Sequence, residues 1–273
     1  MIPEFAPGLH VAAGRPVDIS AYDSYVGRWS RLFVPSVLTA AEIVEGAAVL
    51  DVAVGTGEAA LMALPIVGSS GFVIGTDIAP AMLHAARGRL NQPSFGTVVA
   101  DGQGLPFAGG SFDAVICQLG LQFFPNPARG LAEFRRVLRP GRCAAVCVIS
   151  SADKAPMWGI LCDVLSRRLP AQRHILELSF ALADRKRLET LFAEAGFRDV
   201  CIERQSHAVV FDSFDEYWAP IEAGIGSQPQ AYLSLPEADR RAAREEISAR
   251  LSRFASDGKL RMSVEMLIGK GRA

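Results

Sequence analysis

A glycine-rich turn between an apolar run and a helix-compatible stretch has the residue types of a ligand site. Gly55-Thr56-Gly57-Glu58-Ala59-Ala60 fits the pattern G-x-G-x-x-G/A, which in βαβ units holds the pyrophosphate of a dinucleotide. Asp51 before the turn and Glu58 at the start of the helix, however, place negative charge where a pyrophosphate would bind. The motif alone therefore leaves the ligand open.

Acidic residues end three successive predicted strands: Asp51, Asp77 and Asp101. Asp77 lies 20 residues after Gly57, where a carboxylate can accept hydrogen bonds from both ribose hydroxyls, in dehydrogenases and methyltransferases alike. Asp51 suits a cationic ligand with an amino group and a sulfonium, and Asp101 with Gly102 suits the amine and edge of an adenine. The three aspartates together favour S-adenosylmethionine over a dinucleotide.

Short apolar runs that alternate with helical patterns must position these residues. The predicted strands are "AAVLDVA", "GFVIGTD", "GTVVAD", "SFDAVICQ" and "RCAAVCVIS". Pro65 and Pro140-Gly141 are expected to end two of the helices between them. This alternation predicts a doubly wound α/β fold with a parallel sheet covered on both faces, which binds ligands at the carboxyl ends of its strands.

The alternation stops after Ser150. "MWGILCDVLSRRL" and "RKRLETLFAEAGF" read as helices, the second with Gly196 as its C-cap, and "RDVCIERQSHAVVF" reads as extended. We expect a tail and helical lid segment at 1–45, a cofactor-binding core at 46–211, a helical cap insertion at 212–258 and a final core strand at 259–273. The cap is expected to pack over the site, because so long a stretch is not a structureless loop.

Composition limits the class of protein. The 273 residues are 50% hydrophobic and 21% charged, with a net charge of −1, which is typical of a globular protein without the basic surface that nucleic acids need. Five scattered cysteines indicate neither a metal site nor disulfides. We expect no signal peptide, no membrane span, a cytoplasmic location, a small-molecule partner and a monomer or homodimer.

Several segments together resemble a known family: "VLDVAVGTGEAA", "GTDIAPAML", "VVADGQGLPFAGGSFDAVICQLGLQFFPNPARGLAEFRRVLRPGR" and "LFAEAGF". They are similar to class I S-adenosylmethionine-dependent methyltransferases, in particular the ubiquinone/menaquinone-biosynthesis (type 11) group, from about Tyr22 to Phe197. The resemblance implies a Rossmann-like seven-stranded sheet, mostly parallel, with an antiparallel C-terminal strand inserted in it. It also implies methyl transfer to oxygen or carbon of a quinone-like or other secondary metabolite, which leaves S-adenosylhomocysteine.

The resemblance also implies roles for single residues. The methionine end of the cofactor would be held by Asp51 and by the backbone of Ala53, Gly55, Thr56 and Gly57, where Ala53 replaces the family's usual first glycine. Asp77 would bind the ribose, Ile78 and Met82 would flank the adenine, and Asp101 and Gly102 would contact its edge, while Gln118 would lie under the sulfonium. Tyr22, Tyr25 and Arg28 would close over the cofactor, with the arginine on its carboxylate. The alternative for "YDSYVGRWS" is a short helix whose aromatic residues pack on the core.

The acceptor and the general base are less well defined by the sequence. Candidates for the lining of an acceptor pocket are Phe123, Phe124, Tyr217, Trp218 and Tyr232, which suggest an apolar or aromatic acceptor unless they are plain core. His207 is a weak candidate for a base, and no residue receives a catalytic assignment. Two other functions stay open: a catalytically silent protein that binds S-adenosylmethionine, and an NAD-type dehydrogenase.

Overall fold

The computed structural model describes residues 22–273, which form an α/β fold around one mixed sheet. The strand order is β3-β2-β1-β4-β5-β8-β6, and a short β7 pairs with β8. The strands are β1 (Ala48–Val52), β2 (Phe72–Asp77), β3 (Phe95–Val99), β4 (Phe112–Gln118), β5 (Leu138–Ile149), β6 (Arg198–Phe211), β7 (Ala255–Ser256) and β8 (Lys259–Arg272). The pairs among β1 to β5 are parallel, whereas β8 runs antiparallel between β5 and β6. The predicted fold class is confirmed, including the inserted antiparallel strand.

Helices cover both faces of this sheet. They are α1 (Val34–Ala40), α2 (Glu58–Val67), α3 (Pro80–Arg89), α4 (Pro127–Val137), α5 (Pro156–Arg168), α6 (Arg173–Leu176), α7 (Arg185–Glu194), α8 (Phe214–Glu222), α9 (Ser227–Leu233) and α10 (Glu237–Leu251). Before α1, a π-helical turn (Asp23–Gly27) and a helical turn (Arg28–Ser30) form part of residues 22–33, which we call the wall segment.

Two hydrophobic clusters fix the two layers of helices. The wall segment, α1, α2, α3, α5 and α8–α10 pack on one face of the sheet, and α4 and α7 pack on the other. All five residues of β1 are buried, as the apolar run "AVLDV" requires for a central strand covered on both faces. Asp51, in that run, is consequently carried into the interior at the edge where the ligand site was predicted.

Two predicted helix ends are wrong. Pro65 lies inside α2, which continues to Val67, because burial of Leu64 and Val67 outweighs the single hydrogen bond that a proline removes. The helix before Pro140-Gly141 already ends at Val137, where β5 begins one residue later. Gly196 does follow α7 with a left-handed φ of 84°, as its predicted C-cap role requires.

Residues 212–258 are helical, but they pack beside the core. Helix α10 lies against α5 through ion pairs of Arg167 and Arg168 with Glu246 and of Arg250 with Asp163. None of the described residues of 212–258 lines the large cavity at the carboxyl ends of the strands. In the described part of the chain, no helix combines the length and the apolar character that a membrane crossing needs.

Alanine substitutions at two helical glycines should change the stability of the protein in opposite directions. A Cβ on Gly159 in α5 would lie 2.0 Å from the carbonyl oxygen of Ala152, whereas a Cβ on Gly88 in α3 would contact nothing within 4 Å. Gly159→Ala should therefore lower the free energy of unfolding by about 1–3 kcal/mol, in spite of the higher helix propensity of alanine. Gly88→Ala should raise it by about 0.5–1 kcal/mol. Urea denaturation of both variants measures this, and equal shifts would contradict the packing at Gly159.

Candidate functional site

A cavity of about 1110 Å³, including its opening to solvent, lies beyond the carboxyl ends of β1, β2 and β4. Its walls come from the turn after β1, the start of α3, the turn after β4 and the wall segment. It brings together most of the predicted site residues: Tyr22, Asp51, Ala53, Gly55, Thr56, Asp77, Ile78, Met82, Asp101, Gly102, Gln118, Phe123 and Phe124. Gly57, Tyr25, Arg28, Tyr217, Trp218, Tyr232 and His207 are outside this lining.

The turn after β1 needs left-handed backbone at three positions. Ala53 has a φ of 57°, Gly55 of 55° and Gly57 of 88°. Only glycine adopts such angles without cost, so Ala53 is strained in the place where the family pattern has its first glycine. Gly57 has a second reason to be glycine, because a Cβ there would lie 2.7 Å from the Leu90 Cδ1 atom. Gly57 thus shapes the turn and precedes the first residue of α2, while the residues before it line the cavity.

Asp51 is the buried acidic group of the site. Its side chain is 1% exposed, and neither carboxylate oxygen has a hydrogen-bond partner within the described residues. Burial raises the pKa of Asp51 to about 8; the amide of Ala60 opposes this shift without reaching hydrogen-bond geometry, and the Asp77 carboxylate adds to it. A buried carboxylate without a partner is costly, and a cation in the cavity would supply the missing partner.

Asp77 holds the turn and still has acceptor capacity. Its Oδ2 atom accepts a hydrogen bond from the Gly55 amide at 3.0 Å, and Oδ1 accepts from the Ala79 amide at 2.9 Å. Burial raises the pKa of this carboxyl, although both backbone amides lower it. Because an ionised carboxylate offers about four lone-pair sites, two remain for a diol such as a ribose.

Asp101 and Gly102 form a third side of the cavity. Asp101 Oδ1 accepts hydrogen bonds from the backbone amide of Gln103 at 2.9 Å and from its side-chain Nε2 at 3.2 Å. Gly102 packs closely on an aromatic ring, since a Cβ there would lie 2.3 Å from the Phe124 Cζ atom. Gln103, which was not among the predicted site residues, is buried, and its Oε1 atom accepts from the Asn126 amide at 2.8 Å.

Gln118 connects the end of β4 to the wall segment. Its Nε2 atom donates to the Ser30 carbonyl at 3.1 Å, and its Oε1 atom is buried without a partner. The next residue, Leu119, has a φ of 60°, a strained value that turns the chain toward Phe123 and Phe124. Ser30 and Leu119 were not among the predicted site residues, because nothing in their residue types indicates a site.

The wall segment places only one of its three predicted site residues in the cavity lining. Tyr22 lines the cavity, with its hydroxyl 3.7 Å from the position that a Cβ on Gly55 would occupy. Tyr25 lies in the hydrophobic core, where burial raises the pKa of its hydroxyl well above the usual value. Arg28 points to α8, where it pairs with Glu216 and donates to the Val210 carbonyl at 2.7 Å. Tyr25 therefore follows the core-packing alternative. Arg28 was predicted to bind the cofactor carboxylate, but its guanidinium is paired with Glu216 instead.

The aromatic residues of α8 and α9 are core and do not line the cavity. Tyr217 is buried and donates its hydroxyl proton to the Met157 carbonyl at 2.6 Å. Trp218 is buried against Tyr232, with ring centroids 5.1 Å apart. Their positions follow from the hydrophobic contact of α8 and α9 with α5, a tertiary contact that aromatic spacing does not reveal. Of the five acceptor-pocket candidates, Phe123 and Phe124 remain at the cavity.

His207 lies in β6, opposite Val264 of β8, and packs edge-on against Phe33 with ring centroids 4.7 Å apart. β6 is the edge strand of the sheet, four positions from β1 in the strand order. Because neighbouring strands are about 4.8 Å apart, this placement puts its backbone roughly 19 Å from β1. The structure thus keeps His207 away from the cavity that it was suggested to serve.

Glu58, which argued against a pyrophosphate, is a lining residue with cationic neighbours. Arg89 donates to its Oε2 atom at 2.7 Å, and Arg31 of the wall segment lies 3.5 Å from Oε1. These guanidinium groups neutralise Glu58, so that Asp51, Asp77 and Asp101 are the acidic side chains of the lining that have no ion pair among the described residues. Among its described residues, the lining has no arginine, lysine, histidine or cysteine. The arrangement suits a cationic nucleoside and offers no cation to a phosphate.

The sheet order is Rossmann-like, and the acidic lining of the cavity at the carboxyl ends of its strands suits a nucleoside cofactor. The family model described as a methyltransferase domain matches residues 49–141. A demethylmenaquinone methyltransferase from Renibacterium salmoninarum is 32% identical over 184 residues, which cover 63% of this chain and 74% of that protein. The ubiquinone/menaquinone biosynthesis C-methyltransferase UbiE of Coxiella burnetii is 28% identical over 200 residues, 68% of this chain and 79% of that protein.

Solved structures agree at the level of the fold. A methyltransferase from Bacillus halodurans superimposes with a TM-score of 0.58 at 21% identity, over 88% of this chain and 97% of that one. Phosphoethanolamine N-methyltransferase 2 of Haemonchus contortus, solved with S-adenosyl-L-methionine, gives 0.62 at 17% identity, over 98% of this chain and 60% of that one. The chain belongs to the class I S-adenosylmethionine-dependent methyltransferases of the ubiquinone/menaquinone-biosynthesis type. It is an enzyme that takes a methyl group from S-adenosylmethionine to a small molecule.

Because Asp51 has no hydrogen-bond partner, we expect it to lower the stability of the ligand-free protein at neutral pH. The pKa of Asp51 is about 8 in the folded protein and 3.8 for an ordinary aspartate, so its contribution to stability is fully present below the lower pKa and is lost as the pH rises through about 8. At neutral pH, Asp51→Asn should therefore raise the free energy of unfolding of the ligand-free protein by a few kcal/mol. At pH 4 the gain should be close to zero.

Denaturation in urea at pH 4 and pH 7, without ligand, measures this difference. Asp153→Asn is a suitable control, because Asp153 is exposed and lies outside the cavity lining. A loss of stability at pH 7 in Asp51→Asn would show that the carboxylate has a partner in the ligand-free protein.

Proposed function

We propose that the cavity holds S-adenosylmethionine with its methionyl amino group at Asp51. The observation that carries this proposal is the buried pair of Asp51 oxygens without partners, which matches an ammonium group next to a sulfonium. The backbone of the turn from Ala53 to Thr56 lies beside Asp51 and would hold the rest of the methionyl part. The lack of lining arginines or lysines in the described residues supports this ligand over a pyrophosphate.

The other residues fit the adenosine part. Asp77 keeps two lone-pair sites for the ribose hydroxyls after its bonds to Gly55 and Ala79. Ile78 and Met82 follow it at the start of α3 and supply apolar surface for the faces of the adenine. Asp101 would accept a hydrogen bond from the exocyclic amine of the adenine. Gly102 has no side chain, and the Phe124 ring packs in the space that a Cβ would occupy.

The acceptor side of the cavity is apolar. Phe123, Phe124, Val26 and Leu119 line it together with Gly120, whose Cβ would lie 2.4 Å from the Ala53 Cβ. Such a lining favours a flat, apolar or aromatic acceptor, because it offers contact area and few hydrogen bonds. The quinone-biosynthesis relatives have names consistent with this class, and we place the acceptor among hydroxylated aromatic or quinone-like metabolites.

In this reaction the protein mainly orients the donor and the acceptor, and proton transfer is less important. The cofactor supplies a methyl group that its sulfonium already activates. The turn after β1 and Asp77 orient the donor, while the wall segment and Phe123 exclude water from the line of attack. Because the described lining has no histidine, lysine or cysteine, we propose that the acceptor is itself electron-rich, as a phenol or hydroquinone is, and gives its proton to solvent.

Calorimetric titration with S-adenosylmethionine, S-adenosylhomocysteine and NAD tests the proposal. We expect micromolar binding of the first two and none of NAD. Asp77→Ala should weaken binding by about 10- to 100-fold, since it removes acceptors for two ribose hydroxyls. Asp153→Asn should bind as the wild type does, because Asp153 is exposed and outside the lining.

Incubation with S-adenosylmethionine and a panel of hydroquinones and phenols then identifies the acceptor by a mass gain of one CH₂. Binding of NAD alone would overturn the proposed cofactor. Binding of S-adenosylmethionine without methylation of any aromatic acceptor would overturn the proposed acceptor class.

A further inference from the structure

We propose that Glu216 of α8 is a positioning residue that holds the wall segment over the cofactor cavity through Arg28. This inference rests on the proposed function, since it assigns a role in binding S-adenosylmethionine. It makes residues 212–258 a support for one wall of the site in place of the cap that the sequence suggested. Glu216 itself does not line the cavity.

The outer side of the wall segment is fastened by Arg28. Its guanidinium forms an ion pair with Glu216, donates to the Val210 carbonyl at 2.7 Å and lies 5.2 Å from the centre of the Phe211 ring. Three separate contacts thus engage one side chain that is only partly exposed. Arg28 therefore joins the wall segment to the end of β6 and the start of α8.

Glu216 is fixed independently of Arg28. Its Oε2 atom accepts from the Asp212 amide, while its own amide donates to the Ser213 hydroxyl at 3.1 Å, in an arrangement close to a helix capping box. A carboxylate held in this way costs little further entropy when it pairs with Arg28. α8 is consequently a rigid anchor for the segment.

The inner side of the same segment meets the ligand site. Ser30, two residues after Arg28, accepts from Gln118 at 3.1 Å, and Arg31 lies 3.5 Å from Glu58 at the start of α2. Val26 and Gly27 line the cavity immediately before Arg28. A loosened Arg28 contact would therefore change the cavity wall, although Arg28 and Glu216 lie outside the lining.

Glu216→Gln tests this role, because it removes the charge and keeps an oxygen for the Asp212 amide. An exposed or half-exposed ion pair changes an equilibrium by up to about fivefold, so trypsin cleavage after Arg31 should become up to about fivefold faster. The Kd for S-adenosylmethionine should rise by up to the same factor, with Tm of the ligand-free protein unchanged. Glu216→Gln combined with Arg28→Gln should raise the Kd no more than Arg28→Gln alone.

Asp215→Asn is the matched control, since Asp215 is the neighbouring residue of α8 and pairs with Arg244 of α10 at 2.7 Å. It should change neither the cleavage rate nor the Kd. If Glu216→Gln leaves the Kd at the wild-type value, or if both variants lower Tm and affinity equally, Glu216 has no positioning role. Failure of the wild type to bind S-adenosylmethionine would instead contradict the proposed function.

Discussion

A carboxylate in the interior without a hydrogen-bond partner is unstable unless a cation meets it, and Asp51 is in that position. The central strand of a sheet covered on both faces carries this residue inward, and the turn that follows opens a cavity beside it. The strained φ of 57° at Ala53 belongs to the same turn. Asp51 and Ala53 thus both lower the stability of the fold at the same turn, which is common where a ligand completes a site.

The cavity depends on elements that lie far apart in the sequence. Gln118 at the end of β4 holds the Ser30 carbonyl, and Arg28 joins the outer side of the wall segment to α8. The turns after β1 and β4 line the cavity, whereas the α8–α10 segment pairs with the wall segment through Glu216 and packs on α5.

Local patterns predicted the sheet, because strand alternation and glycine turns depend on neighbours in the sequence. They also brought Asp51, Asp77 and Asp101 to one edge, since parallel strands end together. They failed where a tertiary contact decides the outcome: Pro65 remains inside a helix because Leu64 and Val67 are buried. For the same reason the aromatic residues of α8 and α9 entered the core, and Arg28 met Glu216 instead of facing the cavity. The Arg28–Glu216 pair joins residues 188 positions apart, and no spacing rule indicates it.

We propose that Asp51 ionises when the cofactor binds, and the number of protons released on binding tests this ionisation most directly. Calorimetric titration with S-adenosylmethionine at pH 7, in two buffers of different ionisation enthalpy, gives that number. From a pKa of about 8 in the free protein, the wild type should release roughly 0.9 of a proton, and Asp51→Asn, with weaker binding, should release none of it. Equal proton release by both proteins, or equal affinity, would contradict the assignment of the amino group to Asp51.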